Sequence, residues 1–335
     1  MAHDLILPAG SPALPGAPAV PAPLPTQLVP GLVVRGGEAA AWRYVEFFAA
    51  VLRNPNTRRA YARACGHFFG WCEMRGLTLD SIRPFDVATW VEQLQQERAA
   101  PTVKQALAAV RMLFDWLVTG QIVPANPASA VRGPTHVVKT GKTPVLDGAE
   151  WRRLIDSIPT DTVRDLRDRA LIATLTYAFA RIGAALKMRV EDLQPRGTGW
   201  LIRLHEKGGK QHSMPCHHAL AEALHVYIDA AGLAGDRKGI LFRTSRGHAG
   251  TALSEQPMTQ PDAWRMIRRR AAAAGILAPI GNHTFRATGI TAYLANGGTL
   301  EHAQAMAAHE SPRTTKLYDR TKERLTQDEV ERIRL

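Results

Sequence analysis

From Ala40 to about Val131 the apolar side chains recur with the period of a helix rather than that of a strand. The pattern predicts a helix from about Glu38 to Leu52 and a second starting near Asn56-Thr57, which carries Tyr61, Phe68, Phe69 and Trp71. A third runs from about Pro84 to Gln96 and a fourth from about Pro101 to Val118, which makes a small helical domain over 37–131. Asn126-Pro127 and Gly133-Pro134 break the periodicity, and 132–144 reads as a linker holding Arg132 and Lys139. A larger, mostly helical domain over 145–335 follows. Ala170 to Ala180 is apolar all round, the mark of a buried helix. One hairpin interrupts this domain: Trp200, Ile202 and Leu204 alternate with Leu201, Arg203 and His205 before Lys207-Gly208-Gly209-Lys210. Gly208-Gly209 suits a tight two-residue turn. In Pro261 to Ala274 an apolar stripe of Trp264, Ile267, Ala271 and Ala274 opposes Arg265 and Arg269, with Arg268 and Arg270 flanking them. Leu300 to Ala308 reads as a helix, and Ser311-Pro312 as the N-cap and first residue of the next. Asp319 to Leu335 is amphipathic, with Leu325, Val330, Ile333 and Leu335 apolar.

Composition narrows the class. Residues 1–36 are rich in Pro and Ala and predict an extended, flexible tail. Lys and Arg number 42 against 30 Asp and Glu, a net charge of +12. The excess is shared: residues 41–140 hold 12 basic and 7 acidic side chains, and residues 141–335 hold 29 and 21. A basic balance in both halves points to a polyanionic partner gripped by both. Three cysteines, Cys65, Cys72 and Cys216, make no CxxC pair and no disulfide framework. His205, His212, His217 and His218 with Cys216 fit no standard ligand spacing, so no metal site is expected. No apolar run reaches membrane-spanning length and the N-terminus lacks a signal-peptide pattern, so a soluble intracellular protein is expected.

Chemistry concentrates in the second domain. Arg181 follows an apolar helix, Lys207 lies at the hairpin tip, and His283 and Arg286 share a helix face. His309 is followed nine residues later by Tyr318. Two arginines, two histidines, a lysine and a tyrosine suffice for phosphoryl transfer: guanidiniums balance the charge of the transition state while a phenol attacks. A lone tyrosine is normally packing, as expected of Tyr44, Tyr61, Tyr177, Tyr227 and Tyr293; Tyr318 differs by its ordered companions.

In the order Arg181, Lys207, His283-x-x-Arg286, His309, Tyr318, the chain resembles the tyrosine site-specific recombinases, or phage-type integrases. The stretch GKTPVLDGAEWRRLIDSI from Gly141 resembles the start of that family's catalytic domain. One position departs: the acidic residue usual three places after the first arginine is Ala184. Asp192 stands where the family commonly has an aspartate. The resemblance implies a fold that is mainly α with a small β-sheet: a helical DNA-binding domain followed by an α+β integrase-type catalytic domain. It implies attack by Tyr318 on a scissile phosphate, giving a 3′-phosphotyrosyl bond and a free 5′-hydroxyl. Arg181, Arg286 and His309 would hold the phosphate oxygens, Lys207 would protonate the leaving oxygen, and His283 would handle the proton of Tyr318. Neither ATP, metal nor other cofactor is implied. The implied partners are double-stranded DNA with inverted-repeat core sites and three further copies of the chain, assembled through the C-terminal segment around a Holliday junction. Accessory DNA-bending proteins are left open. DNA contacts are expected from Arg58, Arg59, Arg63, Lys104, Arg111 and Lys139 in the first part, and from Lys210, Arg265, Arg268 and Arg269 in the second. Most would go to phosphate, giving a steep salt dependence. Two other readings stand beside recombination: a type IB topoisomerase-like relaxase, and a non-catalytic DNA-binding protein on an integrase scaffold.

Overall fold

The computed structural model describes residues 29–136, 141–206, 209–247 and 249–319. The chain forms two compact units, Met1–Val137 and Val138–Leu335.

The first unit is helical. It comprises α1 (Gly31–Arg35), α2 (Glu38–Glu46, continued by a π-helical turn over Phe47–Val51), α3 (Pro55–Met74), α4 (Pro84–Glu97) and α5 (Ala100–Thr119). Local chemistry sets the starts. Asn54 caps α3 by accepting from the N–H groups of Asn56 and Thr57 at 2.9 and 3.2 Å, with Pro55 first in the helix. Asp86 closes the start of α4 by accepting from the Arg83 N–H at 2.8 Å. The faces these helices share bury Phe68, Phe69, Trp90 and Phe114, with Phe68 and Trp90 edge to face at 5.0 Å. The extended tail expected through residue 36 is corrected from Val29 onward. Val29, Leu32 and Val33 are buried in this core, and the Leu32 N–H donates to Glu73. Three branched apolar side chains in five residues outweigh the preceding prolines. Residues 1–28 lie outside the described residues.

The second unit holds α6 (Gly148–Asp156), α7 (Val163–Tyr177), α8 (Ile182–Ala185), β1 (Leu193–Arg196), β2 (Gly199–His205), β3 (Gln211–Pro215) and α9 (His218–Ala230). It continues with β4 (Arg243–Arg246), β5 (Ala252–Pro257), α10 (Gln260–Ala273), α11 (Asn282–Ala295), α12 (Leu300–Met306) and α13 (Pro312–Lys316). Strands β1–β2–β3 form an antiparallel sheet, with Leu193 opposite Ile202 and His205 opposite Gln211. Ile202 and Leu204 are buried on one face, as the alternation predicts. The Glu206 N–H bonds the Lys210 carbonyl at 2.8 Å, so three residues, not two, separate the last bonded pair. Lys207 and Gly208 are outside the described residues. A second hairpin, β4–β5, was not expected: its strands are short, polar and out of step between Arg243 and Ser245, which hides the alternation.

α7 lies at the centre of the core. α11 crosses it at Gly289, where a Cβ would come within 2.0 Å of the Thr176 carbonyl oxygen. Only glycine permits that approach. α10 is tied to α7 by charge. Asp168, fully buried, accepts from Arg167 Nη2 at 2.7 Å and from Arg270 Nη2 at 2.8 Å, and Arg270 also donates to Asp165. The buried stripe of α10 is Ala263, Met266, Ile267 and Ala271. Trp264, expected to face the core, is instead 52% exposed. Helical phase puts Met266 in the core with Ile267 and turns Trp264 outward against Gly281.

Candidate active site

The candidate residues arrive from four places. Arg181 is the N-cap of α8, directly after α7. His283 and Arg286 lie in the first turns of α11, His309 between α12 and α13, and Tyr318 just past α13. Five of the six meet; Lys207, the sixth, is outside the described residues.

Arg286 anchors the site. Its guanidinium is buried and donates to the Phe179 carbonyl and, at 2.5 Å, to the Ala307 carbonyl. It thereby fixes the two bends that carry Arg181 and His309. Both bends hold a non-glycine residue in the left-handed region, Phe179 at φ 48° and Ala308 at φ 46°. Such conformations cost on the order of 1–3 kcal/mol each and persist only where the surroundings enforce them. Burial pushes the Arg286 guanidinium down to about 10; Arg181 adds to this, while Tyr318 and Glu206 oppose it. It therefore stays charged at neutral pH.

Tyr318 is buried, its hydroxyl 2.9 Å from His283 Nε2. Its carbonyl accepts from Thr291 Oγ1 at 3.1 Å, and Gly141 N–H bonds the preceding Leu317 carbonyl at 3.1 Å. His309 lies parallel to the Tyr318 ring, centroids 5.8 Å apart, and its Nδ1 is 2.9 Å from Thr315 Oγ1. Burial pushes the His309 imidazole down to about 3, and Arg286, Arg181 and His283 add to the effect. His283 is lowered by burial and then by the same two arginines. Both rings are thus neutral at pH 7, and each can accept a proton at one nitrogen and donate from the other.

Arg181 donates through Nη1 to Glu206 Oε2 at 2.6 Å. Glu206, at the end of β2, is buried, while the Arg181 side chain is 39% exposed. The hairpin has two further ties to this end of the unit: His212 Nε2 to the Met306 carbonyl at 3.1 Å, and Lys210 to Glu310 at 2.8 Å. Asp192 supports the sheet, accepting from Arg203 Nε at 2.6 Å and lying 3.1 Å from His205 Nε2. His217 stacks between Tyr177 and His218. Among the described residues no group of three or more His, Cys, Asp or Glu is placed to hold a metal.

A model of the phage integrase family matches residues 144–324, and one of the phage integrase N-terminal SAM-like domain matches residues 44–121. The chain belongs to the phage integrase family. It is accordingly a tyrosine recombinase, an enzyme of DNA strand breakage and rejoining. Tyrosine recombinase XerD of Chlorobaculum tepidum is 26% identical over 268 residues, which cover 78% of this chain and 85% of that protein. Two solved structures share the fold. XerH recombinase bound to palindromic difH substrate, a post-cleavage complex, has a TM-score of 0.66 at 15% identity, covering 92% of this chain and 97% of that one. A lambda integrase tetramer bound to a Holliday junction has a TM-score of 0.63 at 17% identity, covering 85% and 77%.

The arginines and lysines expected at an integrase DNA surface are placed unequally. Arg59, Arg63 and Lys104 are exposed on α3 and α5. Arg58 donates to the Leu52 carbonyl at 3.0 Å. Arg111 donates to the Ala128 and Val131 carbonyls at 3.2 and 2.7 Å, so its donors fix the chain leaving α5. Lys139 is outside the described residues. On α10, Arg265, Arg268 and Arg269 are exposed, Arg265 beside Asp262 and Arg269 3.5 Å from Asp168. Sequence reading missed two site residues. Glu206 had a signal, a carboxylate adjoining Lys207 at a strand end. Thr315 had none, since its role depends on the bend that brings α13 back to His309.

Proposed function

We propose that this chain is a site-specific DNA recombinase that cuts and rejoins DNA through a 3′-phosphotyrosyl intermediate and a Holliday junction. The observation that carries this reading is the Tyr318 hydroxyl at 2.9 Å from a neutral His283, in a site with two guanidiniums. Tyr318 attacks the scissile phosphorus while its proton passes to His283 Nε2. Arg181, Arg286 and the Nε2–H of His309 balance charge on the non-bridging oxygens. The bond from phosphorus to the 5′ oxygen breaks, and Lys207 supplies the proton that oxygen takes. The 5′-hydroxyl of a partner duplex then attacks the phosphotyrosine and gives its proton to Lys207, while the bond from phosphorus to the Tyr318 oxygen breaks and that oxygen takes back the proton from His283. Each step exchanges one phosphate ester for another, so ATP is not required. No metal is assigned to the site.

For the partners we propose double-stranded DNA with inverted-repeat core sites and a homotetramer on paired sites, joined through the segment after Tyr318. The lambda integrase tetramer on a Holliday junction supports the second. Among the described residues no helix is long and apolar enough to cross a membrane. The test is end chemistry on nicked duplexes tiled from the DNA flanking the gene. Cleavage should leave a 5′ end that a kinase labels without prior phosphatase treatment. A 5′-phosphate end would contradict the reading.

A further inference from the structure

We infer that Glu206 is the positioning residue for Arg181, supplying from the hairpin the carboxylate that Ala184 does not supply from α8. This rests on the proposed cleavage reaction. The residues beside Arg181 on this bend and helix supply no acceptor: Ala180, Ala184 and Ala185 are alanines and are buried. An arginine side chain carries about 2 kcal/mol of rotamer entropy, so an untethered one would reach the phosphate in many orientations. Here Nη1 is held at 2.6 Å by a buried carboxylate. The backbone that carries this carboxylate is held as well, because the Glu206 N–H bonds the Lys210 carbonyl at 2.8 Å.

The geometry leaves the rest of the guanidinium fork for phosphate oxygens, and the side chain keeps enough exposure to meet them. The charge also matters. Arg181 and Arg286 repel each other, and Glu206 offsets part of that repulsion at Arg286. Glu206 also adjoins Lys207 in the chain, so one residue links the arginine that holds the phosphate to the segment carrying the leaving-group acid. Groups that orient metal ligands from outside the first layer are worth roughly 10- to 100-fold in activity, and the same order is expected for a carboxylate that orients a phosphate-binding arginine.

The test compares native protein, Glu206→Gln and Glu206→Ala in single-turnover cleavage of the flanking-DNA nicked duplexes. A parallel set carries a methylphosphonate at the scissile position. Removing one negative oxygen leaves Arg181 less charge to balance, so dependence on its positioning should shrink. On the phosphodiester, Glu206→Ala should lower the cleavage rate roughly 10- to 100-fold, with DNA affinity little changed and Glu206→Gln intermediate. On the methylphosphonate the variants should approach native protein. An undiminished rate in Glu206→Ala, or an equal loss on both substrates, would overturn the inference while leaving the cleavage reading intact. No cleavage by native protein would overturn both.

Discussion

Burial and the charges of Arg286, Arg181 and His283 hold the His309 imidazole near 3, whereas the same ring in an unfolded chain titrates near 6.5. Between those values the unfolded chain binds a proton that the native one does not. The contribution is therefore fully present above about pH 6.5 and is lost progressively as pH falls toward 3. His283 is shifted in the same direction and adds to the loss. Urea unfolding midpoints should be flat just above neutrality and decline through this acid window, and His309→Gln should flatten part of the decline. Thr315 matters at the same ring. If its hydroxyl donates to Nδ1, the proton stays on Nε2, where the proposed reaction uses it. Thr315→Val keeps the shape and removes the donor; cleavage should fall roughly tenfold with the unfolding midpoint changed little. The six candidate positions could be nominated from the chain because their order and spacing form a linear pattern, and the structure brings five of them together. Glu206 left only the hint of a carboxylate beside Lys207, because its partner Arg181 lies 25 residues away, and Thr315 left none, because its contact with His309 depends on the turn between α12 and α13.

At the scale of elements, the seam between α7 and α10 combines burial with charge. Asp168 is the shared acceptor for Arg167 and Arg270, with Arg269 at its margin. Removing one partner of a buried ionic network leaves uncompensated charge, which typically costs about 3–5 kcal/mol. Asp168→Ala should lose stability on that order in chemical denaturation, well beyond the effect of Arg268→Ala on the exposed face of α10. Asn54, Asp147, Thr162, His217, Thr259, Thr299 and Ser311 each cap the helix that follows, so most of the described helix starts follow from local chemistry. Two features escaped that logic. The β4–β5 hairpin has too few apolar positions to show a two-residue period. The facing of α10 turned on the competition between Trp264 and Met266 for the core, which small residues on both sides of the helix left undecided.

Across the whole molecule, both units carry a basic excess, which suits an enzyme that acts on DNA. The proposed reaction requires Tyr318 as the nucleophile. The most direct measurement is a covalent adduct on denaturing gels, using nicked duplexes tiled from the DNA flanking the gene, with the attached peptide identified by mass spectrometry. An adduct is expected on the tryptic peptide containing Tyr318, formed by native protein and lost in Tyr318→Phe while DNA binding is retained. An adduct that survives Tyr318→Phe, or one mapped to another residue, would contradict the proposed reaction.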